Sequence, residues 1–213
     1  MDELELLKKD WQNKEVNLPK LSYDDIYKMI WKKSSSMVKW IFYISIIEFV
    51  FWAALNIISS DPQYMQNLKA MHIYNVMMVL NFINYGIILY FIFKFYMNYR
   101  KISVTDSSRN LMKAILKVKR TVTQYVWFNL IIFATSIIIS LYGVLIYSDE
   151  GKEIVEVAIQ HGNEMTFWFL IIALSLLFTG VLLVVIWLFY KVLYGILLKR
   201  LKENYTELRK LEV

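Results

Sequence analysis

The chain contains no cysteine, and of its 213 residues only two are proline and six are glycine. Without cysteine it forms no disulfide, offers no thiolate to a metal and has no thiol nucleophile. Collagen-like and low-complexity chains contain far more proline and glycine than this. Charged residues make up only 20 % of the chain, whereas disordered proteins are rich in them. Composition therefore excludes a disulfide scaffold, a fibre and a disordered chain.

Apolar residues are present in excess. Hydrophobic side chains account for 58 % of the chain and aromatic ones for 16 %, and the mean hydropathy is +0.42. A soluble protein of 25.5 kDa cannot bury that much apolar surface in one core, because its exterior still needs polar cover. The composition excludes a soluble enzyme and predicts an integral membrane protein with several spans.

Four windows of the sequence are almost free of charge and long enough to cross a bilayer. The 21 residues between Lys39 and Asp61 carry one charge, Glu48, and three later windows contain no Asp, Glu, Lys or Arg. About 20 apolar residues allow a helix to cross the roughly 30 Å of hydrocarbon. The sequence therefore predicts an all-α polytopic protein with four transmembrane helices in an antiparallel bundle, near 37–58, 70–94, 122–147 and 165–190.

Lysine and arginine are concentrated in three of the five segments outside these spans. Residues 1–36 and 99–120 carry seven each and residues 191–213 carry six, whereas each of the other two loops carries one. The positive-inside rule places both termini and the central loop in the cytoplasm. The predicted domains are cytoplasmic amphipathic helices at 1–36, the transmembrane bundle at 37–190 and a cytoplasmic helical extension at 191–213.

Apolar stripes on the charged cytoplasmic helices predict further packing below the membrane. An isolated charged helix of about 20 residues is marginal in water, so a stripe after the fourth span needs an apolar partner. We expect it to pack within the chain, with pairing of two copies or attachment to the bilayer as alternatives. The stripe is Leu197, Leu201, Tyr205 and Leu208, and its candidate partners are Leu4, Leu7 and Trp11, and Leu111, Ile115 and Val118.

Glu48 is the one ionisable residue near the middle of a predicted span. Carboxyl groups there are costly and usually face the bundle interior or water. Asn81, Asn84 and Ser136 lie at similar depth in the second and third spans and complete a candidate intramembrane polar cluster. Handling of a proton or cation is the functional hypothesis. We prefer a structural one, in which a protonated carboxyl bonds to an asparagine and fixes helix register.

Signatures of catalysis and of metal binding are missing from the sequence. The chain has two histidines, His72 and His161, in no metal-ligand spacing, and it contains no HExxH, GxSxG, Walker A or GxGxxG motif. We therefore expect neither an enzyme nor a cofactor. A basic patch suits lipid headgroups, so no nucleic-acid partner is expected; it consists of Lys113, Lys117, Lys119 and Arg120.

Two stretches within about the first fifty residues carry a resemblance: the opening MDELELLKKDWQ and, after it, LPKLSYDDIYKMIWKKSSSMVKWIF. They resemble an uncharacterised family of four-span inner-membrane proteins of Bacteroidetes. The resemblance implies a multi-pass protein of the bacterial inner membrane. Such proteins sometimes bear a beta-carotene 15,15'-monooxygenase label, but carotenoid-cleaving enzymes resemble soluble propellers that hold iron with four histidines. With two histidines and no propeller repeat, this chain does not support that label.

The leading functional hypothesis is a non-enzymatic membrane anchor or regulator that recruits a cytoplasmic protein through its cytoplasmic helices. The candidate partner surface consists of Leu4, Leu7, Trp11, Leu201 and Leu208. The alternative is a small transporter or channel subunit, forming a homo-oligomer, that uses Glu48 and the nearby asparagines. A membrane-embedded enzyme comes third. In every case the lipid bilayer is the first partner.

The lack of cysteine makes the topology directly testable. A single cysteine at Ser60 or Gly151 should react with a membrane-impermeant thiol reagent in intact cells, because both positions lie in loops expected outside. A cysteine at Ser107 or at the C-terminus should stay unlabelled. Labelling of Ser107 from outside would contradict the orientation.

Overall fold

The computed structural model describes Glu5 and residues 22–58, 62–105, 107–160 and 164–211. In these ranges the chain is helical and contains no strand. The helices are α1 (Tyr23–Ile58), α2 (Pro62–Ala70), α3 (Tyr74–Ser103), α4 (Ser108–Tyr147), α5 (Asp149–Gln160) and α6 (Glu164–Leu211).

The four long helices form one bundle. α1 and α4 each pack against both α3 and α6, so the order around the bundle is α1–α3–α4–α6. Each of these helices is long and apolar enough to cross a membrane, with an 18-residue window of mean hydropathy between 2.0 and 3.0. The predicted all-α bundle of four membrane-spanning helices is confirmed.

The helix of the second span begins four residues later than predicted. Residues 71–73 form a turn, in which His72 adopts a positive φ of 56°, and α3 begins only at Tyr74. Residues 70–93 contain no charged side chain, so the start of the span was predicted at Ala70. A lack of charge gives no sign of the turn that precedes the helix. The polar helix α2, which ends at Ala70, was not predicted.

The boundaries predicted at residues 36 and 190 fall inside the continuous helices α1 and α6. α1 begins after Ser22, whose hydroxyl accepts the backbone N–H of Asp25 at 3.2 Å while the Asp25 carboxylate accepts the Ser22 N–H at 3.2 Å. This reciprocal arrangement is a capping box. With 48 residues, α6 is about 72 Å long, more than twice the thickness of the hydrocarbon core.

The predicted packing below the membrane is confirmed between α4 and α6. Leu201 and Leu208 are 1 % and 0 % exposed, and they belong to the same hydrophobic core as Leu111, Ile115 and Val118 of α4. The proposal that Leu201 and Leu208 form a partner surface is therefore wrong, because the chain's own helices cover both side chains. The other three members of that surface, Leu4, Leu7 and Trp11, lie outside the described residues.

Hydrogen bonds from α1 join the tip of the α3–α4 hairpin to the bundle. The Tyr27 hydroxyl donates to the Thr105 carbonyl at 3.1 Å, and the Trp31 indole N–H donates to the Ile102 carbonyl at 2.9 Å. The Ile102 carbonyl also accepts the Thr105 backbone N–H at 3.3 Å, so the side chains of α1 supply additional donors to the carbonyl groups at this helix end. The Asn98 amide donates to the Thr121 hydroxyl at 3.1 Å between α3 and α4.

At the opposite end, α4 turns sharply into α5. A Cβ atom added at Gly151 would overlap the Val144 carbonyl oxygen, so a cysteine there would disturb this turn. Lys152 is exposed and is the better labelling position. Ser60, the other outside position, lies outside the described residues. Ile154 and Val157 of α5 are half exposed, as expected of an amphipathic helix that rests on the membrane.

The packing below the membrane predicts a contrast between two leucines. Leu201→Ala should lower the free energy of unfolding by about 2–5 kcal/mol, because it leaves a cavity in the core. Leu116→Ala makes the same change at a side chain that is 49 % exposed, and its effect should stay within about 0.5 kcal/mol. Unfolding of detergent-solubilised protein by sodium dodecyl sulfate, followed by circular dichroism, measures both. Equal losses would contradict the assigned core.

Candidate functional site

Glu48 of α1 is held by two tyrosines of α6. The Tyr190 hydroxyl donates to Oε1 at 2.6 Å, and the Tyr194 hydroxyl donates to Oε2 at 2.8 Å. The two tyrosines are four residues apart, so they project from the same face of the helix. All three side chains are buried, with exposures of 5 %, 5 % and 1 %. Each carboxyl oxygen therefore receives a donor without any contact with solvent.

A third tyrosine completes this site. The Tyr125 ring of α4 lies edge-on to Tyr190 and Tyr194, with centroid distances of 6.1 Å and 6.0 Å. Phe91 and Phe95 of α3 pack against the other side of Tyr125, at 5.4 Å and 5.6 Å. We call Glu48, Tyr125, Tyr190 and Tyr194 the tyrosine cluster. Aromatic side chains surround its polar atoms and exclude water, which strengthens the hydrogen bonds at its centre.

A cavity of about 210 Å³ lies next to the tyrosine cluster, and all four long helices line it. Tyr190 belongs to both, because its hydroxyl reaches Glu48 while its side chain lines the cavity. Aromatic side chains form much of the rest of the wall. We call it the asparagine cavity after its polar lining residues: Asn56, Asn81, Asn84, Asn129 and Ser136.

Several polar atoms of this lining already have partners in the chain. The Asn129 amide donates to the Tyr125 carbonyl at 2.8 Å, and the Ser136 hydroxyl donates to the Ile132 carbonyl at 2.9 Å. The Oδ1 atom of Asn84 is buried and has no hydrogen-bond partner. A buried acceptor left without a donor is costly, so this atom marks the place where an occupant with an N–H or O–H group would gain most.

The predicted polar cluster is divided between these two features. Asn81, Asn84 and Ser136 line the same cavity, whereas Glu48 does not line it and its carboxyl bonds to Tyr190 and Tyr194 in place of the expected asparagine. Sequence reasoning missed all three tyrosines. The spacing of four residues between Tyr190 and Tyr194 was an available signal, but tyrosine near the end of a span ordinarily marks the membrane interface.

A second concave surface lies at the tip of the α3–α4 hairpin. It has a volume of about 420 Å³ and is lined by three lysines: Lys101, Lys113 and Lys117. Ser107 also lines it and caps α4, where its hydroxyl accepts the N–H of Asn110 at 3.3 Å. We call this surface the basic groove. The positive end of the α4 dipole adds to the charge of the lysines, so the groove favours an acidic ligand.

No metal-binding group emerges from the described part of the chain, which holds no cluster of three or more His, Asp and Glu side chains. His72 stacks edge-on against Tyr147 at 5.3 Å, an aromatic contact between the start of α3 and the end of α4. His161 lies outside the described residues.

The tyrosine cluster predicts a graded response to substitutions at Glu48. Glu48→Gln keeps a carbonyl acceptor for one tyrosine and should change stability little. Glu48→Leu leaves two buried hydroxyl groups without their acceptor and should cost about 1–2 kcal/mol, since interhelical hydrogen bonds in membranes contribute about 0.6 to 1.7 kcal/mol each.

A double-mutant cycle with Tyr194→Phe isolates the interaction. The double variant Glu48→Leu/Tyr194→Phe should be less destabilised than the sum of the two single variants, as measured by unfolding in sodium dodecyl sulfate. Strict additivity would show that the hydrogen bond contributes nothing to stability. Loss of a cellular activity in a stable Glu48→Gln variant would replace the structural hypothesis with a proton-linked one.

The comparisons with known proteins give one family. Among the curated proteins and among the solved structures, nothing matches the chain. A family model does match, over residues 24–213, and its description is a domain of unknown function, DUF8845. The match begins after the opening stretch and covers all four long helices except Tyr23, the first residue of α1. Because it spans most of the sequence, the chain belongs to the DUF8845 family.

Proposed function

We propose that this protein is a non-enzymatic membrane anchor or regulator, oriented with both termini in the cytoplasm of a bacterium and recruiting a soluble protein to the inner membrane. The observation that carries the proposal is the basic groove on a packed bundle that continues beyond the spans. Such a bundle presents its surface in a fixed geometry, which lowers the entropy lost on binding.

The chemistry of the groove favours an acidic partner. Three lysines line it within about three turns of the hairpin tip, and the exposed charged residues at the adjoining ends of α3 and α4 are all basic: Arg100, Lys101, Arg109, Lys113, Lys117, Lys119 and Arg120. Val104, which also lines the groove, is 68 % exposed and offers an apolar contact at the centre of this charge. Opposite charge speeds association and excludes basic partners.

The position of the groove suits a soluble protein. Thr105, at the hairpin tip, lies 11 residues beyond Lys94, the first charge after the second span, which corresponds to about 16 Å along a helix. The α1 side chains Tyr27 and Trp31 bond to carbonyls at this tip, so it is held in place. The groove therefore extends from the headgroup level into the cytoplasm, where both an acidic protein and anionic lipids can reach it.

Charge reversal tests the recruitment. The variant Lys101→Glu/Lys113→Glu/Lys117→Glu should lose at least tenfold of a co-purifying acidic protein when tagged protein is isolated from its own cells in mild detergent. Lys28→Glu/Lys32→Glu/Lys33→Glu makes the same charge change on exposed residues of α1, and it should retain that protein.

Mass spectrometry of proteins and lipids in the same samples separates the two sources of negative charge. If the groove variant loses only anionic lipid, the groove binds headgroups and the recruitment proposal fails. It also fails if no protein distinguishes the groove variant from the α1 control.

A small transporter or channel subunit, assembled as a homo-oligomer, is the second candidate. The asparagine cavity favours it, because a polar cavity among four spanning helices is where such a protein holds its substrate. The tyrosine cluster argues for a structural role of Glu48, since both carboxyl oxygens are already engaged. Loss of uptake in a folded Glu48→Gln variant would favour transport over recruitment.

A further inference from the structure

We propose that the asparagine cavity is a binding site for a small uncharged ring compound that donates a hydrogen bond, with the size and polarity of phenol. The site is separate from the basic groove and does not depend on recruitment of a protein. The inference rests on the cavity's volume, the buried and unpartnered acceptor of Asn84, the aromatic walls and the lack of charged lining residues.

The volume suits a single ring with a substituent. An apolar cavity of about 150 Å³ inside a protein is large enough to bind benzene. The asparagine cavity measures about 210 Å³, so it accommodates a benzene ring together with one or two further heavy atoms.

The unpaired Oδ1 atom of Asn84 favours a ligand that donates a hydrogen bond. Oδ1 of Asn84 is buried without a partner, whereas the Asn129 amide and the Ser136 hydroxyl already donate to backbone carbonyls of α4. A phenolic O–H directed at Asn84 would satisfy the acceptor that the chain itself leaves unpaired. An apolar ring of the same size would leave that acceptor unsatisfied, so the site should distinguish the two.

The aromatic walls of the cavity and its lack of charged side chains indicate the shape and the charge of the ligand. Phe49, Trp52, Tyr85, Phe133 and Tyr190 line the cavity, and Phe49 and Tyr85 already meet edge to face at 5.9 Å. Such walls favour a planar ring. No charged side chain lines the cavity, and the nearby Glu48 carboxyl is engaged by Tyr190 and Tyr194, so an ammonium group would find no counter-charge.

Water fills the cavity less well than such a ligand. An internal water needs two to four polar partners, which the five polar side chains offer, whereas the aromatic faces supply none. A single water at Asn84 would leave most of the volume unfilled. Uncharged ring compounds also concentrate in the bilayer, and Asn81 is exposed at the edge of the cavity, where a solute can approach from the lipid.

Two nearly isosteric probes test the assignment on the full chain in lipid nanodiscs. 4-Fluorophenol and 4-fluorotoluene differ by a hydroxyl in place of a methyl group, and fluorine NMR reports the binding of each, with empty nanodiscs as the reference for partitioning. We expect saturable binding of 4-fluorophenol that is at least tenfold tighter than that of 4-fluorotoluene.

Substitutions in and away from the asparagine cavity test where the probe binds. Asn84→Leu should weaken 4-fluorophenol at least tenfold and leave 4-fluorotoluene unchanged or tighter. Asn110→Leu, the same change at an exposed residue far from the cavity, should alter neither affinity. Ser136→Phe should abolish binding of both probes by filling the cavity. If Ser136→Phe does not fold, the comparison of the two probes on the unmodified protein and on Asn84→Leu still decides.

Three results would overturn the proposal. Absence of saturable 4-fluorophenol binding above empty nanodiscs would show that the cavity holds only water. Equal affinities for the two probes would indicate non-selective apolar partitioning. Tenfold selectivity that survives Asn84→Leu would place the hydrogen bond elsewhere.

Discussion

A polar group surrounded by hydrocarbon must find its hydrogen bonds within the protein, and this constraint sets the register of the bundle. Glu48 of α1 meets it through Tyr190 of α6, and further along the same helix pair the Asn204 amide donates to the Ser34 hydroxyl at 2.9 Å. Ser34 precedes Glu48 by 14 residues, and Asn204 follows Tyr190 by 14 residues. The two contacts therefore belong to one antiparallel register and cannot be satisfied independently.

The register of α1 against α6 continues beyond the spans because both helices continue there without interruption. α1 and α6 have no proline where they leave the hydrocarbon, so the alignment fixed at Glu48 also places Leu201 and Leu208 in the same hydrophobic core as Leu111 of α4. The helical segments beyond the spans are thus continuations of the long helices and not a separate domain. A rigid connection of this kind suits an anchor, since the surface it presents keeps its orientation to the bilayer.

The two proposed sites use different chemistry on the same scaffold. α3 and α4 line both the asparagine cavity and the basic groove, but the cavity is uncharged and aromatic whereas the groove is lined by lysines. The lysines lie where water and lipid headgroups can solvate them, and the asparagines lie among the spans, where only side chains and a small neutral molecule can satisfy them. Depth in the membrane accounts for this division.

The sequence alone determined the number of long helices, their approximate ranges and the existence of an apolar stripe after the fourth span, because charge and helical periodicity are properties of short stretches of chain. Tertiary structure decided which side chains contact one another. The rotation of each helix about its axis depends on packing against its neighbours, so it directed Glu48 to the tyrosines of α6 while Asn81, Asn84 and Ser136 came together around a cavity. It also buried Leu201 and Leu208, because an amphipathic stripe specifies that a face will be covered and not which chain covers it.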